Sequence, residues 1–371
     1  MSPTPILDRQ QAAPVPKPRR KVHFWRWSAV GAVVGLALGL VWGHSLDPIM
    51  GPLPMVFAGF FGGLFCGILL HELGHLVAGL AVGFEFRRML VGPLLLTKEL
   101  RGFRFSFVGN RLLAGGHVFM VPRSMEHLRR DFAIFVAGGP LATAIVFLPI
   151  AFLPWGSLAG SLLVANLLLA FNSWVPREIR GHYTDAKNFQ ILSRQGPAAE
   201  RLIAVLYLTA LDGLGTPPGQ WPPHVVARLA TPGGDRAYRS GGSIFLHLYA
   251  RETASPAEVA GALEKVLALA GGLRGDLRRA YFAKAAFWQA VDNRNATLAR
   301  AWLDDARAVQ DAVTQKDWDA AALAAIAMAE GDATQFHQQL TRALAYLDRQ
   351  PGPSGCVAAE RNRLLALGSG F

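Results

Sequence analysis

The sequence predicts a mainly α-helical, polytopic membrane protein with four transmembrane helices, a small membrane-associated β segment and a soluble C-terminal helical domain. Three observations predict it. Hydrophobic residues make up 51% of the 371 residues and charged residues only 17%. The apolar excess lies before residue 177, in runs long enough to cross a bilayer. Beyond about residue 190 the charge density is that of an ordinary soluble protein, with Ala, Leu and Arg in a helical pattern.

Residues 1–23 are polar and Pro-rich and read as a disordered cytoplasmic tail. No small-residue cleavage site comes after the next apolar run, so a cleavable signal peptide is not expected. A bilayer core about 30 Å thick needs about 20 apolar residues. Four stretches qualify, at about 24–43, 55–82, 132–153 and 157–176. The first carries Gly31, Gly35, Gly39 and Gly43 on one helix face, which suits close packing against another helix of this chain. Between the second and third lies a β segment at 84–122. There Phe103-Arg104-Phe105-Ser106-Phe107 alternates with the two-residue period of a strand, and Gly115-Gly116 and Pro122 punctuate the stretch after it. Short strands against the cytoplasmic membrane surface are expected. Together the spans and this segment make one domain, 24–195.

Orientation comes from Lys and Arg in short loops. The segment before and at the start of the first span holds Arg9, Lys17, Arg19, Arg20, Lys21 and Arg26, and segment 83–130 holds nine such residues. The loops 44–54 and 154–156 hold none. Both termini and the β segment are therefore expected in the cytoplasm. The compact topology and short outer loops suggest a bacterial inner membrane. The net charge of +11 is spread around the apolar spans, which argues against a nucleic-acid stripe. Two cysteines, Cys66 and Cys356, make neither a disulfide framework nor a cysteine-based metal site.

The domain at 197–371 reads as successive amphipathic helices with breaks at 213–223 and 231–242. Asn295-Ala296-Thr297 and Asp332-Ala333-Thr334 stand 37 residues apart in similar surroundings. That hints at a tetratricopeptide-like array of helical hairpins, whose unit is about 34 residues. Such an array would bind a protein partner or a substrate tail.

The chemistry lies in the second span, at His71-Glu72-Leu73-Gly74-His75. Two histidines four apart fall on one helix face, one turn from each other, and suit two nitrogen ligands of a tetrahedral Zn2+. Glu72 stands next to the first, where its carboxylate can serve a metal-bound water as general base. Ionisable groups inside a span are expensive, and by default they mark function. From residue 55, His71 lies about 24 Å along the helix at about 1.5 Å per residue, in the cytoplasmic half of the bilayer. Two histidines leave the metal short of a ligand. Asp185, within Gly181-His182-Tyr183-Thr184-Asp185, returns to the right side after the fourth span. His182 is an alternative, and His117 and His127 read as surface residues.

With these motifs the chain resembles the site-2 protease family of intramembrane zinc metalloproteases over roughly residues 55–195. The family's Asn-x-x-Pro element is matched by Phe171-Asn172-Ser173-Trp174-Val175-Pro176, and its Gly-Pro element by Ala137-Gly138-Gly139-Pro140. The resemblance implies metal ligands His71, His75 and Asp185, Glu72 as the catalytic base, and Asn172 and Ser173 as substrate-binding residues. It also implies hydrolysis of a peptide bond in or near the transmembrane segment of another protein. Three positions depart from the family pattern. Aligning the prolines puts Ser173 where the family has asparagine, with Asn172 shifted by one. Ala186 replaces the glycine after the aspartate, and Thr143 replaces an asparagine after the Gly-Pro element.

A substrate helix hides its carbonyls and must unwind before attack. An edge strand of the β segment could then receive the extended peptide. An inactive scaffold that binds partners through the C-terminal helices is the competing reading, and the intact Glu72 and Asp185 argue against it. A transporter is a third, and no inverted repeat is visible to support it.

Overall fold

The computed structural model describes residues 53–99, 102–107, 115–123, 126–152, 157–179, 182–194, 196–231, 236–273, 275–309, 318–350 and 353–369. The predicted tail and first span, with Gly31, Gly35, Gly39 and Gly43, lie outside the described residues. The chain divides into two compact units, built on residues 20–195 and 196–371. The described residues are mainly helical, with a small antiparallel sheet.

In the first unit, helix α1 (Leu53–Ala81) is apolar along its whole length except at His71, Glu72 and His75. Its stretch Gly59–Ala81 is, among the described residues, the one helix long and apolar enough to cross a membrane. Helices α2 (Leu128–Phe147) and α3 (Ser157–Trp174) pack against it. Helix α2 starts four residues before the expected span and opens on Arg129-Arg130-Asp131. Hydropathy hides that first turn, but tertiary contacts hold it. Arg129 donates to the carbonyls of Leu192 and Ser193 at 2.7 and 3.4 Å, a cation at the end of another helix. Beyond α2 the chain tightens into a 3-10 turn at Pro149–Phe152. Phe61, Val77, Ile145, Leu167 and Phe171 are exposed on these helices, a surface that hydrocarbon tolerates better than water.

The β segment is a four-stranded antiparallel sheet: β1 (Glu85–Val91), β2 (Leu94–Glu99), β3 (Gly102–Phe107) and β4 (Gly116–Val121). Its spatial order is β3-β2-β1-β4. The alternating Phe103, Phe105 and Phe107 fall on edge strand β3 and are 65%, 77% and 67% exposed. The other end of the sheet is anchored. Phe84, Phe86, Val118 and Met120 are buried, and Phe84 meets Phe132 of α2 with ring centroids 5.0 Å apart. After α3 a two-rung hairpin, β5 (Glu178–Ile179) with β6 (His182–Tyr183), leads into α4 (Asp185–Ser193).

The second unit is helical: α5 (Pro197–Gly213), α6 (Pro223–Leu229), α7 (Arg236–Thr253), α8 (Pro256–Ala268), α9 (Gly275–Val291), α10 (Ala296–Arg307), α11 (Trp318–Glu330), α12 (Ala333–Asp348) and α13 (Gly355–Ser369). Helix α9 packs on α10 and α11, and α11 packs on α12. The two similar tripeptides noted in the sequence are helix starts. Asn295 caps α10 by accepting from the Leu298 N–H at 2.9 Å, and Asp332 caps α12 by accepting from Gln335 at 3.0 Å. The residue before each cap is left-handed, Arg294 at φ 48° and Gly331 at φ 78°. Two helix-to-helix turns thus share one conformation, although only the second uses glycine for it. A buried ion cluster ties the ends of the unit together: Glu360 of α13 accepts from Arg251 of α7 at 2.6 Å and from Lys284 of α9 at 3.4 Å.

Candidate metal centre

Helix α1 sets His71 and His75 one turn apart, with ring centroids 4.8 Å apart. Their Nε2 atoms are 3.2 Å from each other. Two nitrogens bound at about 2.0–2.1 Å to a tetrahedral zinc would stand roughly 3.3 Å apart, so the spacing fits that ion. Asp185 completes the group from α4. Its Oδ2 is 3.0 Å from His71 Nε2 and its Oδ1 is 3.7 Å from His75 Nε2. One donor atom from each of the three residues lies within 4.8 Å of the others. Thr184 makes this presentation possible. It caps α4, and its hydroxyl donates to the Val175 carbonyl at 2.8 Å, tying the helix start to the end of α3.

The far side of each imidazole is also occupied. His71 Nδ1 donates to the Thr143 hydroxyl at 3.2 Å, and that hydroxyl donates to the Gly139 carbonyl at 3.0 Å. His75 Nδ1 donates to the Phe135 carbonyl at 2.8 Å. These partners assign the ring protons to Nδ1. Two imidazole Nε2 atoms and a carboxylate then converge, a donor set that suits a cation.

The Ala137-Gly138-Gly139-Pro140 element supplies the room. A Cβ at Gly139 would strike the Nε2 atoms of both histidines, and a Cβ at Gly138 would strike the Gly74 carbonyl. Only glycine lets α2 approach the ligand face of α1 so closely. Pro140 sits inside α2 and contributes no N–H to its ladder.

Glu72 is 5% exposed. Its carboxylate lies against the backbone of β4 at Gly116, where a Cβ would collide with it. Strand β4 is paired with β1 on one side and ends the sheet on the other. The arrangement places a buried carboxylate, a candidate metal group and a sheet edge side by side. Chemically, it can activate a water next to an extended peptide.

The remaining predicted residues lie elsewhere. Ser173 is buried, and its hydroxyl donates to the Leu169 carbonyl of its own helix at 3.2 Å. Asn172 is exposed, donates to the Leu168 carbonyl at 3.1 Å and accepts from Arg177. None of these contacts involves His71, Glu72, His75 or Asp185. His182 pairs with Ile179 in the β5–β6 hairpin. His117 is exposed on β4, and His127 precedes α2 beside Glu126. Sequence reasoning noticed Thr143 only as a departure and passed over the Phe135 carbonyl. A hydroxyl one helical turn after Gly139 was the available signal for the first. A backbone acceptor leaves no signal.

A family model, Peptidase family M50, matches residues 59–347. The match runs past the first unit into the second. No curated protein and no solved structure matches the chain.

Proposed function

The chain belongs to peptidase family M50, the site-2 protease family of membrane metalloproteases, and from that premise we propose that it is a zinc-dependent intramembrane endopeptidase. The observation that carries the reading is the convergence of His71, His75 and Asp185 beside Glu72. In this reading the three residues hold Zn2+. Bound there, the ion would acidify a water and polarise the scissile carbonyl. Glu72 takes the proton of the attacking water and returns it to the leaving amine. Its burial against β4 keeps bulk water from competing.

The substrate is the transmembrane segment of another protein, unwound locally. Strand β4 suits its reception better than β3, because the β4 end of the sheet adjoins Glu72 while Phe103, Phe105 and Phe107 make β3 a membrane-surface strand. Asn172 and Ser173 are the proposed substrate clamp, through the loop after α3. Four spans, with both termini in the cytoplasm of a bacterial inner membrane, remain the proposed topology. Lysine and arginine placement supports that orientation. The second unit is proposed as a tetratricopeptide-like partner-binding domain, in keeping with the two matched helix turns.

Metal analysis of the purified chain tests the site. Wild type should hold about one zinc per chain, and Asp185→Ala should lose most of it while keeping its helical circular dichroism. Undiminished zinc in Asp185→Ala would remove that residue from the centre.

A further inference from the structure

The second unit carries a cleft that the proposed reaction does not use. Four successive helices, α9 to α12, border an open cleft of about 330 Å³, its polar lining Arg279, Arg307, Asp319, Gln339 and Arg342 and its apolar lining Ala320 and Leu323. That volume is at the lower end of the range for small-ligand and peptide-side-chain pockets, about 300–1,000 Å³, and exceeds what one inorganic anion needs.

Its charge is unbalanced. Asp319 is 6% exposed and already serves two arginines, accepting from Arg279 at 2.8 and 3.4 Å and from Arg307 at 3.4 Å. Each guanidinium has five N–H donors in a planar fork, so most of this donor capacity stays available. Arg342 is exposed on α12 and has no ion pair with a described residue. Among the described residues, then, these three cations meet one buried carboxylate, the exposed Asp304 lying 4.0 Å from Arg307. The wall also offers an acceptor. Gln339 is 8% exposed, and its buried Oε1 has no hydrogen-bond partner among the described residues.

A ligand that answers both features carries an anionic, planar group and an N–H donor a short distance away. A carboxylate matches the arginine fork. A peptide N–H would satisfy the glutamine oxygen. Free phosphate would answer only the arginines, and an apolar peptide only the glutamine. We propose that this cleft recognises an acidic peptide segment, with a carboxylate held by Arg342, Arg307 and Arg279 and a neighbouring backbone N–H donated to Gln339. The inference rests on the second unit alone and is independent of the reaction at Glu72.

Fluorescence anisotropy with the full chain in detergent micelles tests it, using a labelled peptide rich in Asp and Glu and its counterpart with every acid replaced by the amide. The acidic peptide should bind at least about tenfold more tightly than the amide version. Arg342→Glu should weaken it by a similar factor, and Gln339→Leu should weaken it too. Arg239→Glu makes the same charge change at an exposed position on α7 and should leave binding within about twofold. Excess inorganic phosphate should displace the peptide only at millimolar concentrations. Equal binding of both peptides, no binding at all, equal loss in Arg239→Glu, or displacement by equimolar phosphate would each overturn the proposal.

Discussion

At the scale of single residues, the candidate centre depends on groups that never touch the metal position. The Thr143 hydroxyl accepts from His71 Nδ1 and donates to the Gly139 carbonyl. Thr143→Val keeps the shape and removes the acceptor. Partners of this kind are worth about 10–100-fold in metal affinity, so Thr143→Val should lower zinc affinity by that factor in competition with a chelator, and Thr143→Ser should restore it. Unchanged affinity in Thr143→Val would make the hydroxyl a packing group only. The histidines and Glu72 were legible because their chemistry is written in helical spacing. The role of Thr143 was not, because it depends on how α2 crosses α1. That crossing is set by Gly74 and Gly138, which read as ordinary small residues in isolation.

Elements show the same division. Helices α1, α2 and α3 were legible as apolar runs, and β3 as an alternation of Phe with Arg and Ser. The polar first turn of α2 was not, since Arg129 finds its partners at the end of α4, more than sixty residues away. In the second unit the helices were legible, but their buried charges were not. Burial is the main reason the Lys284 ammonium comes down to about 8, although Glu360 opposes the shift. The unfolded chain holds that proton up to about pH 10.4. Between these values the unfolded state binds more protons, so stability should rise with pH from about 8 to 10 and be flat in this respect below 8. Thermal unfolding followed by circular dichroism should show that rise in wild type and lose it in Lys284→Met, where Arg251 still neutralises Glu360. A slope that persists in Lys284→Met would assign it to other groups.

For the whole molecule, the family match joins both units under one description, from residue 59 to 347, whereas the motifs that suggested the family end before residue 195. Motifs are dense around chemistry and sparse in a helical array, where many sequences satisfy the same packing. That is why the candidate metal group could be named from the chain and the arginine cleft could not: its lining comes from four separate helices. Peptide hydrolysis by the first unit depends on Glu72 in the proposed reaction. That dependence is tested most directly by cleavage of candidate single-span membrane proteins, co-expressed with wild type or with Glu72→Gln, with zinc measured in both. Wild type should cleave, Glu72→Gln should lose at least about 100-fold, and the two proteins should hold equal zinc. Equal cleavage by both, with zinc bound, would contradict it.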